Sequence, residues 1–217
     1  MLRTISPDSI AKNKSIITNW GCSHNCWYCI WQKHPLKNVC HETNWDKLEK
    51  FLTTDWLPKV SVSGGGDCLS RYEDHIEWWD KFFSICYCHN IMVDVHSRTM
   101  FREVKFWRKV NRAVFSLDLL TFQIRDYLEF LAIHTKIRVV HVITRNSTLA
   151  HCQYLADWCS EKGHQITFKK LEGWNDNWKF EKYKELISNA TFLESGDYNL
   201  YYFPNNTIGT VFMRPPQ

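Results

Sequence analysis

Cys22, Cys26 and Cys29, separated by three and then two residues, occupy the run Gly21-Cys22-Ser23-His24-Asn25-Cys26-Trp27-Tyr28-Cys29. Thiolates at that spacing form a claw that suits a four-iron cluster. Each iron of a cubane needs one ligand beyond its sulfides, so three thiolates leave one iron open to an outside molecule. The competing reading is structural zinc, which normally takes four ligands from paired knuckles. No second knuckle is visible, although His24, His34, Cys40 and His41 are near enough in sequence to complete a tetrahedron. A second constellation, Ser63-Gly64-Gly65-Gly66-Asp67, follows the next apolar run, and its glycines let main chain approach a ligand closely.

These groups need elements to hold them. Runs rich in β-branched and aromatic residues alternate with amphipathic stretches, which predicts strands near 15–20, 59–63, 91–97, 112–117, 137–144 and 165–171. Helices are expected between them, near 43–55, 71–88, 101–110, 121–134 and 148–162, with Thr43 or Asn44, Ser70 and Thr121 as N-caps and Gly163 closing the fifth. Parallel strands joined by right-handed helical crossovers make an open doubly wound sheet or a curved, partly closed barrel, and periodicity does not choose between them. From Leu171 the alternation stops: a turn-rich exit, a helix near 179–189 and a hairpin over Tyr198 to Met213, turning at Pro204-Asn205-Asn206, are expected.

The CxxxCxxC claw together with the glycine-rich Gly64-Gly65-Gly66-Asp67 resembles the radical S-adenosylmethionine (radical SAM) superfamily over roughly residues 15 to 172. The resemblance implies a partial (β/α)6 barrel over residues 1–172 and a C-terminal extension over 173–217 that packs on or caps it. It also implies one [4Fe–4S] cluster on Cys22, Cys26 and Cys29, with S-adenosylmethionine on the open iron. Reductive cleavage of the sulfonium would then give a 5′-deoxyadenosyl radical. An external one-electron reductant of the flavodoxin or ferredoxin type is implied as well.

Further residues acquire expected roles by the same likeness. Tyr28 occupies the aromatic position beside the adenine, with a loop anchor as its plain alternative. Gly64, Gly65 and Gly66 form the cradle for the methionyl ammonium, and Asp67 stands where the family usually has glutamate. Ser97 and Arg98 end the third strand, where the family often contacts the methionyl carboxylate or the ribose; an arginine fork suits a carboxylate, and a surface ion pair is the alternative. Ser116 and Asp118 resemble the serine-x-aspartate strand end that faces ribose or substrate, although Asp118 can equally cap a helix. Cys68 adjoins the cradle, where a thiol can donate hydrogen to a substrate radical or merely pack. Lys169 is expected to face the barrel interior.

Composition narrows the classes. A chain of 217 residues, 44% hydrophobic and 23% charged, supports one substantial core and is too ordinary for disorder. Its net charge of +4 permits an anionic substrate but falls short of a dedicated nucleic-acid binder. Nine cysteines, an odd count, and no apolar signal region at the start place the chain in a reducing cytoplasm. No apolar segment approaches the roughly 20 residues of a membrane span. Heavy aromatic usage, with 11 Trp, 13 Phe and 9 Tyr, reads first as packing.

The leading functional reading is hydrogen abstraction from a small polar substrate, with nucleotide-like molecules among the candidates. One alternative is an activase that places a glycyl radical on a partner protein. The other is a zinc-stabilised module that grips nucleic acid.

Overall fold

The structure is a computed structural model that describes residues 14–29, 42–54, 59–144 and 146–170, and the backbone alone of 191–195, 199–202 and 208–212. Strands β1 (Lys14–Gly21), β2 (Lys59–Gly66), β3 (Met92–Ser97), β4 (Arg112–Leu117), β5 (Lys136–Ile143) and β6 (Gln165–Lys170) form a parallel sheet in chain order. Helices α1 (Trp45–Thr53), α2 (Ile76–Cys88), α3 (Val104–Trp107), α4 (Phe122–Ala132) and α5 (Leu149–Glu161) alternate with them. This is the expected α/β pattern, with the strands displaced by at most a few residues.

Two compact units divide the chain. One contains β1 to β3, the first half of β4 and residues 127–136; the other contains the second half of β4, residues up to 126, and the described residues from 137 onward.

In the first unit, register explains which side is greasy. Val60 and Val62 pair with Val93 and Val95, and all four are buried. Against them lie Trp79, Phe82, Phe83 and Phe106, with ring centroids 5.0 Å apart for Trp79 and Phe106. Trp20 joins this cluster edge-on to Trp78 and stacks on His75 at 4.1 Å, so the tryptophan just before the claw packs its own strand down. The opposite face is polar: Ser15 pairs with Ser61, and Ser61 with Asp94. Asp94, 3% exposed, is held by Arg112 through Nη2 at 2.6 Å and Nε at 3.0 Å, and by Asn111 Nδ2 at 2.8 Å.

Helix ends follow local chemistry, with one correction. Asn44 caps α1 by accepting from the Lys47 amide at 3.0 Å, and Thr121 accepts from Ile124 in α4. Ser70 caps nothing; its amide closes a turn onto the Asp67 carbonyl, and Arg71, in the left-handed region at φ 56°, precedes a 3-10 turn over Tyr72–His75 that leads into α2. The lysine at the start of β1 reaches across to α1, where Lys14 Nζ donates to the carbonyls of Phe51, Leu52 and Thr54.

In the second unit, Val140 and Val142 of β5 pair with Thr167 and Lys169 of β6, and Ile166 and Phe168 are buried beside Leu155, Trp158 and Cys159 of α5. Gly163, φ +69°, closes α5 in the conformation a glycine adopts without strain. β7 (Thr191–Ser195), β8 (Asn199–Tyr202) and β9 (Ile208–Phe212) extend this sheet, with β9 parallel to β6 and β8 antiparallel to β9. The C-terminal hairpin therefore exists as a pair of strands that continues the sheet. Its turn, the helix near 179–189, and Trp174 and Trp178 lie outside the described residues. Among the described residues no helix is long and apolar enough to cross a membrane.

Candidate active site

β1 ends at Gly21, whose φ of +86° turns the chain away from the sheet and releases Cys22. A short turn then closes from the Cys29 amide to the Cys26 carbonyl at 2.9 Å, and the His24 amide points at Cys22 Sγ at 3.3 Å. Cys22, Cys26 and Cys29 are half-exposed, and none is in a disulfide. Burial raises the Cys22 thiol above its ordinary value, while the His24 amide works against that and the negative charges of Asp67, Cys26 and Cys29 add to it.

Three cysteines of one loop, none in a disulfide, are a donor set that fits an iron–sulfur cluster. Among the described residues no three His, Cys, Asp or Glu side chains converge as they would around a single metal ion. His24 Nε2 instead faces Thr99 Oγ1 at 3.2 Å and Asp67 Oδ2 at 3.6 Å. His34, Cys40 and His41 lie outside the described residues.

The end of β2 meets the end of β1 directly. Gly66 has φ +123°, and a Cβ there would run into the Gly21 carbonyl; a Cβ on Gly64 would run into that of Gly66. These two glycines are thus required by the approach of the chain to itself, just ahead of the claw. Gly65 sits between them, buried. The Asp67 amide completes the joint by donating to the Gly21 carbonyl at 3.0 Å.

Asp67 is 5% exposed and both its oxygens are engaged. Oδ1 accepts from the Leu69 amide at 2.9 Å and the Ser97 hydroxyl at 2.7 Å. Oδ2 accepts from the amides of Arg98 at 2.6 Å and Thr99 at 3.2 Å. One carboxylate therefore ties the ends of β2 and β3 together beside the claw. The side chain of Arg98 goes the other way, its Nη1 donating to Cys26 Sγ at 3.1 Å and to the Tyr28 hydroxyl at 3.2 Å. Tyr28 in turn packs edge-on against Trp27, which is 44% exposed.

Cys68 is fully buried, and its thiol donates to the His96 carbonyl at 3.0 Å. Burial pushes that thiol well up.

Ser116 and Asp118 belong to the second unit, where both are half-buried at the end of β4. Two histidines hold the main chain there: His141 Nδ1 donates to the Leu117 carbonyl at 3.2 Å and His151 Nε2 to that of Asp118 at 3.1 Å. His141 also accepts from the Ser147 hydroxyl through Nε2 at 3.1 Å. Sequence reading missed this pair and missed Thr99, because none sits in a motif. Lys169, on β6, has its pKa lowered by burial first and then by Arg138 on the neighbouring strand.

The structure therefore gathers Cys22, Cys26, Cys29, Tyr28, the glycine turn, Asp67, Ser97 and Arg98 into one corner of the first unit. Three thiols on one loop, a guanidinium donating to one of them and a glycine-edged strand end are group types suited to a metal–sulfur group and an amino-acid-like ligand.

Neither a protein-family model nor a curated protein matches the sequence. Among solved structures, SuiB of Streptococcus suis bound to its precursor peptide SuiA is similar, with a TM-score of 0.62 at 16% identity over 82% of this chain and 45% of that one. SuiB bound to S-adenosylmethionine gives 0.59 at 16% identity, covering 80% of this chain and 46% of that one. The chain spans less than half the length of these proteins. Six parallel strands in chain order with helices between them are thus the fold that this chain shares with SuiB.

Proposed function

We propose that this chain is a radical SAM enzyme whose Cys22, Cys26 and Cys29 hold one [4Fe–4S] cluster and whose glycine-edged corner holds S-adenosylmethionine. What supports this is three cysteines of one loop, none in a disulfide, beside Arg98, Tyr28 and the Gly64–Gly66 turn. When bound, the cluster and S-adenosylmethionine supply a one-electron cleavage of the sulfonium and a 5′-deoxyadenosyl radical for hydrogen abstraction.

The chain's own residues bind, orient and exclude water. Main-chain carbonyls of the glycine turn meet the methionyl ammonium, Arg98 and Ser97 lie on the side of the carboxylate and ribose, and Asp67 gives the corner its negative charge. Tyr28 is assigned to the adenine side of the claw, where an aromatic ring helps keep solvent and stray hydrogen donors from a reactive carbon radical. Ser116 and Asp118 are assigned to ribose or substrate. Cys68, buried and bonded to a carbonyl, serves in packing; as a hydrogen donor it would first have to leave that contact. Residues 173–217 are assigned to an extension that packs on the core or covers it, and a flavodoxin- or ferredoxin-type protein is assigned as reductant.

The substrate we favour is small and polar. A second reading, a peptide substrate, is favoured by the likeness to SuiB bound to precursor peptide SuiA. Anaerobic purification with iron, sulfide and zinc analysis tests the claw: iron and sulfide are expected, and zinc without sulfide would refute the proposal. Dithionite and S-adenosylmethionine should then yield 5′-deoxyadenosine, and Cys26→Ala should abolish it.

A further inference from the structure

Arg98 leaves β3 with its two ends doing different work. Its amide is fixed to Asp67 Oδ2 at 2.6 Å, and its guanidinium reaches Cys26 Sγ at 3.1 Å, with the Tyr28 hydroxyl at 3.2 Å from the same nitrogen. A guanidinium is charged at every relevant pH and donates along a fixed fork. A hydrogen bond from such a donor to a ligating sulfur stabilises whichever state carries more negative charge on that sulfur. For an iron–sulfur cluster that is the reduced state, and hydrogen bonds to the sulfurs are among the determinants of potential.

Asp67 decides whether Arg98 can be there. An ionised carboxylate offers about four acceptor sites. Leu69, Ser97, Arg98 and Thr99 supply four donors to Asp67, and His24 Nε2 stands at 3.6 Å. Its acceptor capacity is therefore spent on the end of β3 and on its own loop, which leaves the ligand's ammonium to the carbonyls of the glycine turn.

We propose that Arg98 raises the reduction potential of the cluster on Cys22, Cys26 and Cys29 through a charge-assisted hydrogen bond to the Cys26 sulfur, and that Asp67 is the positioning residue that fixes Arg98 for it. This rests on the cluster assignment made under Proposed function. It gives the shorter acid at position 67 a purpose: an aspartate ends where the β3 amides are, and holds the strand end that carries the tuning cation.

The test is a redox titration of the full chain after anaerobic cluster assembly, followed by electron paramagnetic resonance without S-adenosylmethionine, with iron and sulfide per chain measured in parallel. Arg98→Met should keep its cluster and favour the reduced state at least tenfold less, a fall of 59 mV for one electron. Arg98→Gln, a neutral donor, should fall in the same direction by less. Asp67→Asn should also fall, and Asp67→Asn combined with Arg98→Met should go no lower than Arg98→Met alone.

An unchanged potential in a fully loaded Arg98→Met protein overturns the inference while leaving the cluster assignment intact. If neither Arg98 variant takes up a cluster that the wild type binds, the inference also fails, since a tuning group is dispensable for assembly. Asp67→Asn with unaltered potential but weakened S-adenosylmethionine binding would reassign Asp67 to the ligand. A wild-type chain that binds no iron and sulfide sinks the proposed function itself.

Discussion

Replacing Asp94 by alanine removes the carboxylate at the centre of the polar face of the first unit. Arg112, whose side chain is 10% exposed, loses contacts of 2.6 and 3.0 Å, Asn111 loses its 2.8 Å acceptor, and Lys59 at 3.9 Å loses an ion partner. Deleting one member of a buried ion pair costs about 3–5 kcal/mol, because the surviving charge stays desolvated after losing its counter-ion. The Asn111 bond adds about 1 kcal/mol and the partly exposed Lys59 little. About 4–6 kcal/mol is a large share of the roughly 5–15 kcal/mol a domain possesses. At about 3 °C per kcal/mol for a chain of this size, Tm should drop by about 12–18 °C.

Urea melts followed by tryptophan fluorescence measure this directly. The companion variant Asp94→Leu with Arg112→Met removes both charges and should recover most of the loss, which a double-mutant cycle reads as coupling between the two sites. An Asp94→Ala protein within 1 kcal/mol of wild type would refute the reasoning, since it would mean that water or a neighbouring carboxylate satisfies Arg112 as well as Asp94 does.

Gly66→Ala should cost about 1–3 kcal/mol from its positive φ alone, with the collision against the Gly21 carbonyl added, and should reduce iron retained per chain by displacing Cys22. Lys14→Met should destabilise by about 1–3 kcal/mol by orphaning carbonyls at the end of α1, as equilibrium unfolding would show. Stability should fall in acid because of His141, 3% exposed, whose pKa burial lowers to about 4 from the ordinary 6.5. The unfolded chain then binds the extra proton first, so stability is intact above pH 6.5 and declines between 6.5 and 4 by about 3 kcal/mol, from 2.5 units at 1.36 kcal/mol each. His141→Gln should flatten that slope in urea titrations between pH 7 and 4.5; an equal slope in both proteins would count against it.

The alternation of elements was legible because strand and helix periods are local. β4 falls on 112–117 as expected, and Gly163 ends α5 through its own φ. Local reading overreached where a side chain acts at a distance. The helix expected over 101–110 shrinks to Val104–Trp107, and the Phe101 carbonyl instead accepts from Trp107 Nε1 and the Tyr127 hydroxyl, contacts no propensity encodes. Ser70 looked like a cap and proved to be a turn donor to Asp67, because the chain after β2 is pulled toward Gly21.

The claw was fixed by sequence, since three thiols within eight residues share a loop however the rest folds. What surrounds it was not. Arg98 and Cys26 are 72 residues apart, and Asp67 and Ser97 are 30 apart; only the register of β1, β2 and β3 sets their distances. Sequence supplied an acid, an arginine and three glycines as types suited to a ligand. Tertiary structure decided that Asp67 spends its oxygens on β3 amides, that Gly66 yields to a carbonyl of the chain itself, and that the guanidinium meets a cysteine. The physical reason is that a hydrogen bond is decided within a few tenths of an ångström, and such distances between remote residues exist only once the strands have paired.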